Sequence, residues 1–310
     1  MWDVHVHLVP PDVADAAQKG QFGLQRDGDW IAVDGDRVLA GGRITDLQAV
    51  ERYARQHGLS LVLSVPPALL RHGQDPLWAS FANDALISVK RALTCDVEVL
   101  AILPFRDGDA SVREWNRVRN TCVGVTVGGS MGEFRLSDPR YESLWATLAE
   151  GRALALVHGG VHSDPRLSAY YLGNLVGYPY EDTVGAADLV FSALPLKYPG
   201  LQWCISHGGG AAPFLIGRWQ RGYETRRPGI DSTQPSPKEV YRALWFDSAV
   251  HDMRALEFLL EGARDHVVLG TDYPFPMGTV WHLEENALPQ GVLNTLQANS
   301  DHLMERLRKG

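Results

Sequence analysis

The sequence predicts an α/β protein, a single (β/α)₈ barrel of the TIM type, on three observations. Eight short apolar runs alternate with eight stretches of helical periodicity across 310 residues, the order expected of parallel strands joined by crossover helices. Runs such as Leu59-Ser60-Leu61-Val62-Leu63 are nearly continuously apolar, as in a sheet covered on both faces. Several runs end in His or Asp followed by Gly or Pro. That puts polar groups at C-terminal strand tips, where barrels of this class build their sites.

The first strand is Trp2–Leu8, and it contains Asp3-Val4-His5-Val6-His7. Residues two apart on a strand share a face, so His5 and His7 project together and the flanking Trp2, Val4, Val6 and Leu8 are buried on the other side. The remaining strand candidates are Leu59–Val65, Val97–Leu103, Cys122–Val127, Ala153–His158, Leu201–Ser206, Ala243–Ser248 and Val267–Asp272. Helical patterns lie between them near 44–57, 76–93, 109–120, 138–150, 184–197, 211–224 and 251–263, with a last one from about 289. His57-Gly58 ends the first helix, while Asp138-Pro139 and Ser236-Pro237 mark turns or helix entries.

Two segments lie outside this rhythm. Residues 10–43 carry Asp27-Gly28-Asp29, Asp34-Gly35-Asp36 and Gly41-Gly42 around Trp30-Ile31-Ala32-Val33. They predict a small β-hairpin insertion after strand one, lid-like over the barrel mouth. Residues 159–183, rich in Gly, Tyr and Pro, predict a long functional loop after strand five. No composition break marks a linker, so residues 1–310 are expected to form one domain.

Composition excludes several classes of protein. A hydrophobic share of 45% and a charged share of 21% fit a globular enzyme. The net charge of −8 leaves no footprint for nucleic acid, and no stretch approaches the ~18 apolar residues of a membrane span. Asp3 and the histidines interrupt any apolar run at the N-terminus, so no signal peptide is expected. Cys95, Cys122 and Cys204 form an odd set without CxxC spacing; Cys122 and Cys204, in apolar strand-like runs, read as reduced core thiols of a cytoplasmic protein.

The polar tips spell out a site. His5 and His7 leave strand one, His158-Gly159-Gly160 follows strand five, His207-Gly208-Gly209-Gly210 follows strand six, and Asp272-Tyr273-Pro274 follows strand eight. His5, His7, His158 and Asp272 offer three imidazoles and one carboxylate, a set suited to one divalent zinc with an open position for water. A second metal in such a barrel usually needs a carboxylated lysine or an acid at strand four. The five lysines (19, 90, 197, 238 and 309) lie away from strand tips, and the run 122–129 ends in neither group. One metal per chain is therefore expected. His207 either completes the shell or stays outside it and moves protons, a task its ordinary pKa near ~6.5 suits. Asp272 could shuttle a proton while ligating. Gly208-Gly209-Gly210 reads either as anion-binding backbone at a helix start or as a tight turn.

Together, Asp3-Val-His5-Val-His7, His158, His207-Gly-Gly-Gly, Phe246-Asp247-Ser248-Ala249 and Gly270-Thr271-Asp272-Tyr273-Pro274-Phe275-Pro276 resemble the amidohydrolase superfamily. Within it, the chain resembles the branch around aminocarboxymuconate-semialdehyde decarboxylase, with the orsellinate- and resorcylate-type decarboxylases. The resemblance runs through nearly the whole chain in motif order and spacing. It implies that His5, His7, His158 and Asp272 hold a divalent metal, zinc in most such enzymes and manganese in some. It implies that His207 activates metal-bound water or handles protons. It also implies a homodimer in which Arg218, within Phe214-Leu215-Ile216-Gly217-Arg218, reaches the neighbouring subunit's site and binds a substrate carboxylate. Arg37 corresponds to a second substrate-binding arginine. The apolar Phe214, Leu215, Ile216 and Trp219 around Arg218 fit such an interface. The chain departs from the branch at Gly159-Gly160-Val161-His162 and at Val65-Pro66-Pro67, both facing substrate, and His162 reads as a substrate contact.

The activity that follows is metal-dependent, non-oxidative decarboxylation of an amino- or hydroxy-substituted aromatic or dienoic carboxylic acid. One alternative keeps the metal and uses its water on a lactone or amide, or hydrates a double bond. A more remote one is a non-catalytic binding barrel, against which the complete set of five site residues stands. Fold alone does not choose among them.

Overall fold

In the computed structural model, residues 1–71, 76–130, 134–160, 164–284 and 287–308 are described, and the eight expected strands close into a barrel. The chain opens with β1 (Trp2–His7) and α1 (Pro11–Gln18), followed by β2 (Gln25–Asp27), β3 (Trp30–Val33) and β4 (Asp36–Leu39). Next come α2 (Leu47–His57), β5 (Ser60–Ser64), α3 (Pro76–Ala92), β6 (Val97–Ala101), α4 (Gly108–Val118) and β7 (Gly124–Val127). The middle of the chain forms α5 (Glu142–Glu150), β8 (Leu154–Val157), α6 (Tyr178–Ser192), α7 (Leu194–Lys197) and β9 (Gln202–Ile205). The last part forms α8 (Ala212–Glu224), α9 (Pro237–Tyr241), β10 (Trp245–Asp247), α10 (Met253–Ala263), β11 (Val267–Val268) and α11 (Gln290–Arg308).

The eight barrel strands are neighbours in the order β1-β5-β6-β7-β8-β9-β10-β11, paired in parallel. Backbone bonds close the ring between its two ends. Val4 N–H donates to Leu269 O (2.9 Å), Asp272 N–H to His5 O (2.9 Å) and His7 N–H to Tyr273 O (2.7 Å). Closure thereby sets Asp272 beside the β1 histidines. Asp3 reinforces it: its carboxylate accepts from Thr271 N–H, Thr271 Oγ1 and the Tyr53 hydroxyl of α2.

β1 departs from plain alternation. Asp3 pairs with Leu61 and Val6 with Leu63, so β1 holds one residue more than β5 over that stretch. Such a bulge re-aims side chains. Trp2 and Val4 consequently join Val62, Leu100, Leu154, Leu156, Cys204 and Trp245 in one cluster, whereas Val6 and Leu8 belong to the larger cluster with the helices. Leu154 and Leu156 precede His158 on the same strand face, so the smaller cluster is the barrel filling beneath the site.

Local signals account for the helix ends. The Asp46, Asp107 and Asp252 carboxylates accept N–H groups at the starts of α2, α4 and α10, and Gly58 ends α2 in the left-handed region. The expected hairpin insertion after β1 is present as a three-stranded antiparallel sheet, β2-β3-β4, preceded by α1, because the two Asp-Gly turns each reverse the chain. One expectation needs correction. The 159–183 segment is not loop throughout: a π-turn at Gly173–Gly177 leads into α6, which starts six residues before the expected 184. Pro179 at its start signals helix entry. His162 lies outside the described residues. Among the described residues, no helix is long and apolar enough to cross a membrane.

One buried polar side chain pins the end of β6. Asn83 of α3 accepts from Ile102 N–H (2.8 Å) and donates to Ile102 O (2.9 Å) and Glu114 Oε1 (2.6 Å). Asn83→Ala leaves both Ile102 groups buried without partners, at ~1–3 kcal/mol each. A loss of roughly 2–4 kcal/mol is expected, read as a lower urea midpoint with an unchanged slope; an unshifted midpoint would contradict it.

Candidate metal centre

The strand tips bring all five predicted residues together. One donor atom each from His5, His158, His207 and Asp272 lies within 4.8 Å of the others. His7 joins them, its Nε2 at 3.0 Å from His5 Nε2 and 3.2 Å from Asp272 Oδ1. The imidazole rings meet edge to face, with centroids 4.8 Å apart for His5–His158 and for His158–His207. His5, His7, His158 and Asp272 are buried, and His207 is only slightly open. Two of these residues hold left-handed backbone, His207 at φ 50° and Asp272 at φ 56°, the kind of local strain that functional sites retain.

Each imidazole is fixed from behind through Nδ1. His5 Nδ1 lies 2.5 Å from Asp247 Oδ2, His7 Nδ1 3.2 Å from Val65 O, His158 Nδ1 2.7 Å from Gly159 O, and His207 Nδ1 2.7 Å from Asp182 Oδ2. A carbonyl or ionised carboxylate only accepts, so each Nδ1 carries a hydrogen and each ring, when neutral, presents an Nε2 lone pair inward. Neutral His5 and His7 rings would aim two lone pairs at each other across 3.0 Å, an arrangement that calls for a cation, a proton or a metal ion, between or beside them. His158 Nε2 and Asp272 Oδ1 are buried without a hydrogen-bond partner. These donors fit a divalent metal: ligands ~2.1 Å from one ion stand ~3–3.5 Å apart, and imidazoles backed by acceptors are its usual partners.

Electrostatics agree. Burial lowers the His7 pKa and, with the neighbouring imidazoles, drives that of His158 well below the ordinary value, keeping both rings neutral and free to ligate. Burial raises the Asp272 pKa, but His7, its Nε2 3.2 Å from Oδ1, and the surrounding histidines outweigh it and lower the value. Burial also opposes charge on His207, yet Asp182 outweighs it and pushes the pKa up to about 9. A dication in the cluster would pull that value back down.

Above the cluster, a cavity of about 240 Å³ is lined by His207, Asp272 and His251 together with apolar Leu175, Pro179 and Met277. Neither predicted arginine lines it. Arg37 of β4 stacks over Trp30 of β3, 4.7 Å from the ring centroid, and Arg218 is exposed on α8. The glycines after His207 form a tight turn: Gly208 N–H donates to Asp247 Oδ1, Gly209 N–H to Ser206 O and Gly210 N–H to His207 O. A Cβ on Gly210 would stand 2.1 Å from Pro179 O. Their N–H groups are therefore engaged within the protein, which excludes the anion-binding alternative.

The sequence left three residues without a role: Asp182, Asp247 and His251. Asp247 ends β10 at a strand tip like the others, so the same rule would have found it. Asp182 sits inside a helix that the local composition disguised, and His251 on a loop without a distinguishing pattern.

The barrel and its ringed histidine–aspartate cluster define a metal-dependent amidohydrolase, and a family model described as amidohydrolase matches residues 2–299. The chain belongs to that family. It is 39% identical to 2-amino-3-carboxymuconate-6-semialdehyde decarboxylase of Caenorhabditis elegans, over 89% of this chain and 86% of that one. It is 26% identical to the Dictyostelium discoideum enzyme of the same name, over 99% and 89%. Its fold is also that of the dihydroxybenzoic acid decarboxylase of Polaromonas sp. JS666, solved with manganese and the inhibitor 2-nitroresorcinol. There the TM-score is 0.77 at 19% identity, covering 99% of this chain and 97% of that one.

Proposed function

We propose that this chain is a metal-dependent, non-oxidative decarboxylase of an aromatic or dienoic carboxylic acid bearing a neighbouring amino or hydroxyl group. The observation that carries this is His207, set beside the His5–His7–His158–Asp272 cluster on one cavity, in a chain whose relatives over most of its length are decarboxylases. Those four residues would hold a divalent ion, zinc in this proposal, which would supply Lewis-acid chemistry toward the substrate's oxygen or nitrogen substituent. His207 donates a proton from Nε2 to the carbon that carries the carboxylate. The bond to the carboxylate then breaks, its electron pair stays with the carbon skeleton, and CO₂ leaves. Leu175, Pro179 and Met277 thin the water around the carboxylate, which favours the neutral product CO₂.

The substrate carboxylate needs a cationic partner, and no arginine lines the cavity among the described residues. Arg218 and Phe214 stand one helical turn apart on α8, and Phe214 is 80% exposed. A homodimer formed across this face would bury Phe214 and bring Arg218 to the partner's site; Arg37 is the second candidate contact. The free Cys95, Cys122 and Cys204 support a cytoplasmic location.

The test is CO₂ detection across a panel of hydroxy- and amino-substituted aromatic acids, alongside metal analysis. At least one acid should release CO₂ in step with its consumption, stop after chelation and resume with zinc. Metal-dependent consumption without CO₂ would instead establish hydrolysis or hydration.

A further inference from the structure

We infer that Asp182 is the positioning residue of His207: its buried carboxylate decides which ring nitrogen bears the permanent hydrogen and locks that ring to the turn after His158. This deepens the function proposed above, since it rests on His207 being the proton-moving group.

Asp182 lies in the first turns of α6 and is fully buried. Both its oxygens are committed. Oδ2 accepts from His207 Nδ1 at 2.7 Å, while Oδ1 accepts from Gly159 N–H at 2.6 Å and from Ser206 Oγ at 3.1 Å. One side chain thus spans the tips of β8 and β9. Gly159 in turn receives His158 Nδ1 on its carbonyl at 2.7 Å, so the same residue that Asp182 grips also orients a metal-type imidazole.

The chemistry of the two oxygens separates a positioning role from a merely structural one. Gly159 N–H and Ser206 Oγ–H need an acceptor, which an asparagine oxygen would supply equally well. His207 Nδ1–H alone requires the second oxygen. In Asp182→Asn the amide oxygen must stay on Gly159 N–H, which places the NH₂ group against His207 Nδ1. A donor there forces the ring to the other tautomer, with hydrogen on Nε2 and no lone pair facing the site. Ser206 Oγ, at 3.1 Å from the same Nδ1, can donate or accept and so selects neither form.

The experiment uses the full chain loaded with zinc and labelled with ¹⁵N at histidine, the His207 resonances assigned by their loss in His207→Ala. The parent should show hydrogen on Nδ1 of His207, and Asp182→Asn should show it on Nε2 alone with zinc content unchanged. Under the proposed activity, kcat of Asp182→Asn should fall at least about a hundredfold with KM nearly constant. A parent spectrum without hydrogen on Nδ1 overturns the inference even if the variant fails to fold. So does a variant that keeps the parent's tautomer, or one that switches it with kcat unchanged. A parent that decarboxylates nothing defeats the proposed function instead, and the two spectra still decide the role of Asp182.

Discussion

His207→Ala should lose about 10²- to 10⁴-fold in turnover, the usual worth of a positioned acid or base, while still binding close to one metal per chain. His207 stands within ligand distance of His5, His158 and Asp272, so metal content is the discriminating measurement. Its Nδ1 is held by Asp182 and its edge opens on the cavity, as a group delivering protons requires. If metal falls in proportion to activity, His207 is a ligand. The same variant tests the dimer. Mixed with Arg218→Ala protein under conditions of subunit exchange, it should regain part of the activity, because one site in a mixed dimer then has both residues intact. No recovery with exchange verified would confine Arg218 to its own subunit or to no site.

His158→Ala should act on the metal first. Its Nε2 is buried and unpartnered, and burial keeps the ring neutral, so the side chain gives the metal-free fold little polar stabilisation. Partners one shell out from a metal already cost 10–100-fold in affinity when removed; loss of a ligand should cost at least a hundredfold and abolish turnover with it. With the proposed zinc site formed only in the folded parent, excess zinc should raise its melting temperature by mass action and leave His158→Ala nearly unmoved. An equal rise in both proteins would remove His158 from the ligand set.

The site was legible in the sequence because a parallel barrel gathers strand tips that lie far apart in the chain. Once eight strand–helix units were counted, His5, His7, His158, His207 and Asp272 had to meet at one end. The β1 bulge was invisible, since Trp2-Asp3-Val4-His5-Val6-His7 satisfies alternation as written, and only the Asp3–Leu61 and Val6–Leu63 pairing shows the extra residue. Asp182 was hidden for a different reason. Gly173, Gly177 and Pro179 punctuate the start of α6 and imitate a loop, although Pro in a first helical turn is favourable. Its partners His207 and Gly159 lie 25 and 23 residues away, a pairing no local pattern encodes.

The central claim is that this site exchanges a carboxylate for a proton on carbon. Its most direct measurement is turnover in D₂O of whichever acid in the panel is consumed, followed by proton NMR and mass spectrometry of the product. The predicted product has lost CO₂ and carries one deuteron at the vacated carbon, in the parent protein with zinc bound. A product that keeps its carboxylate and has gained the elements of water would contradict the account and identify a hydrolase or hydratase.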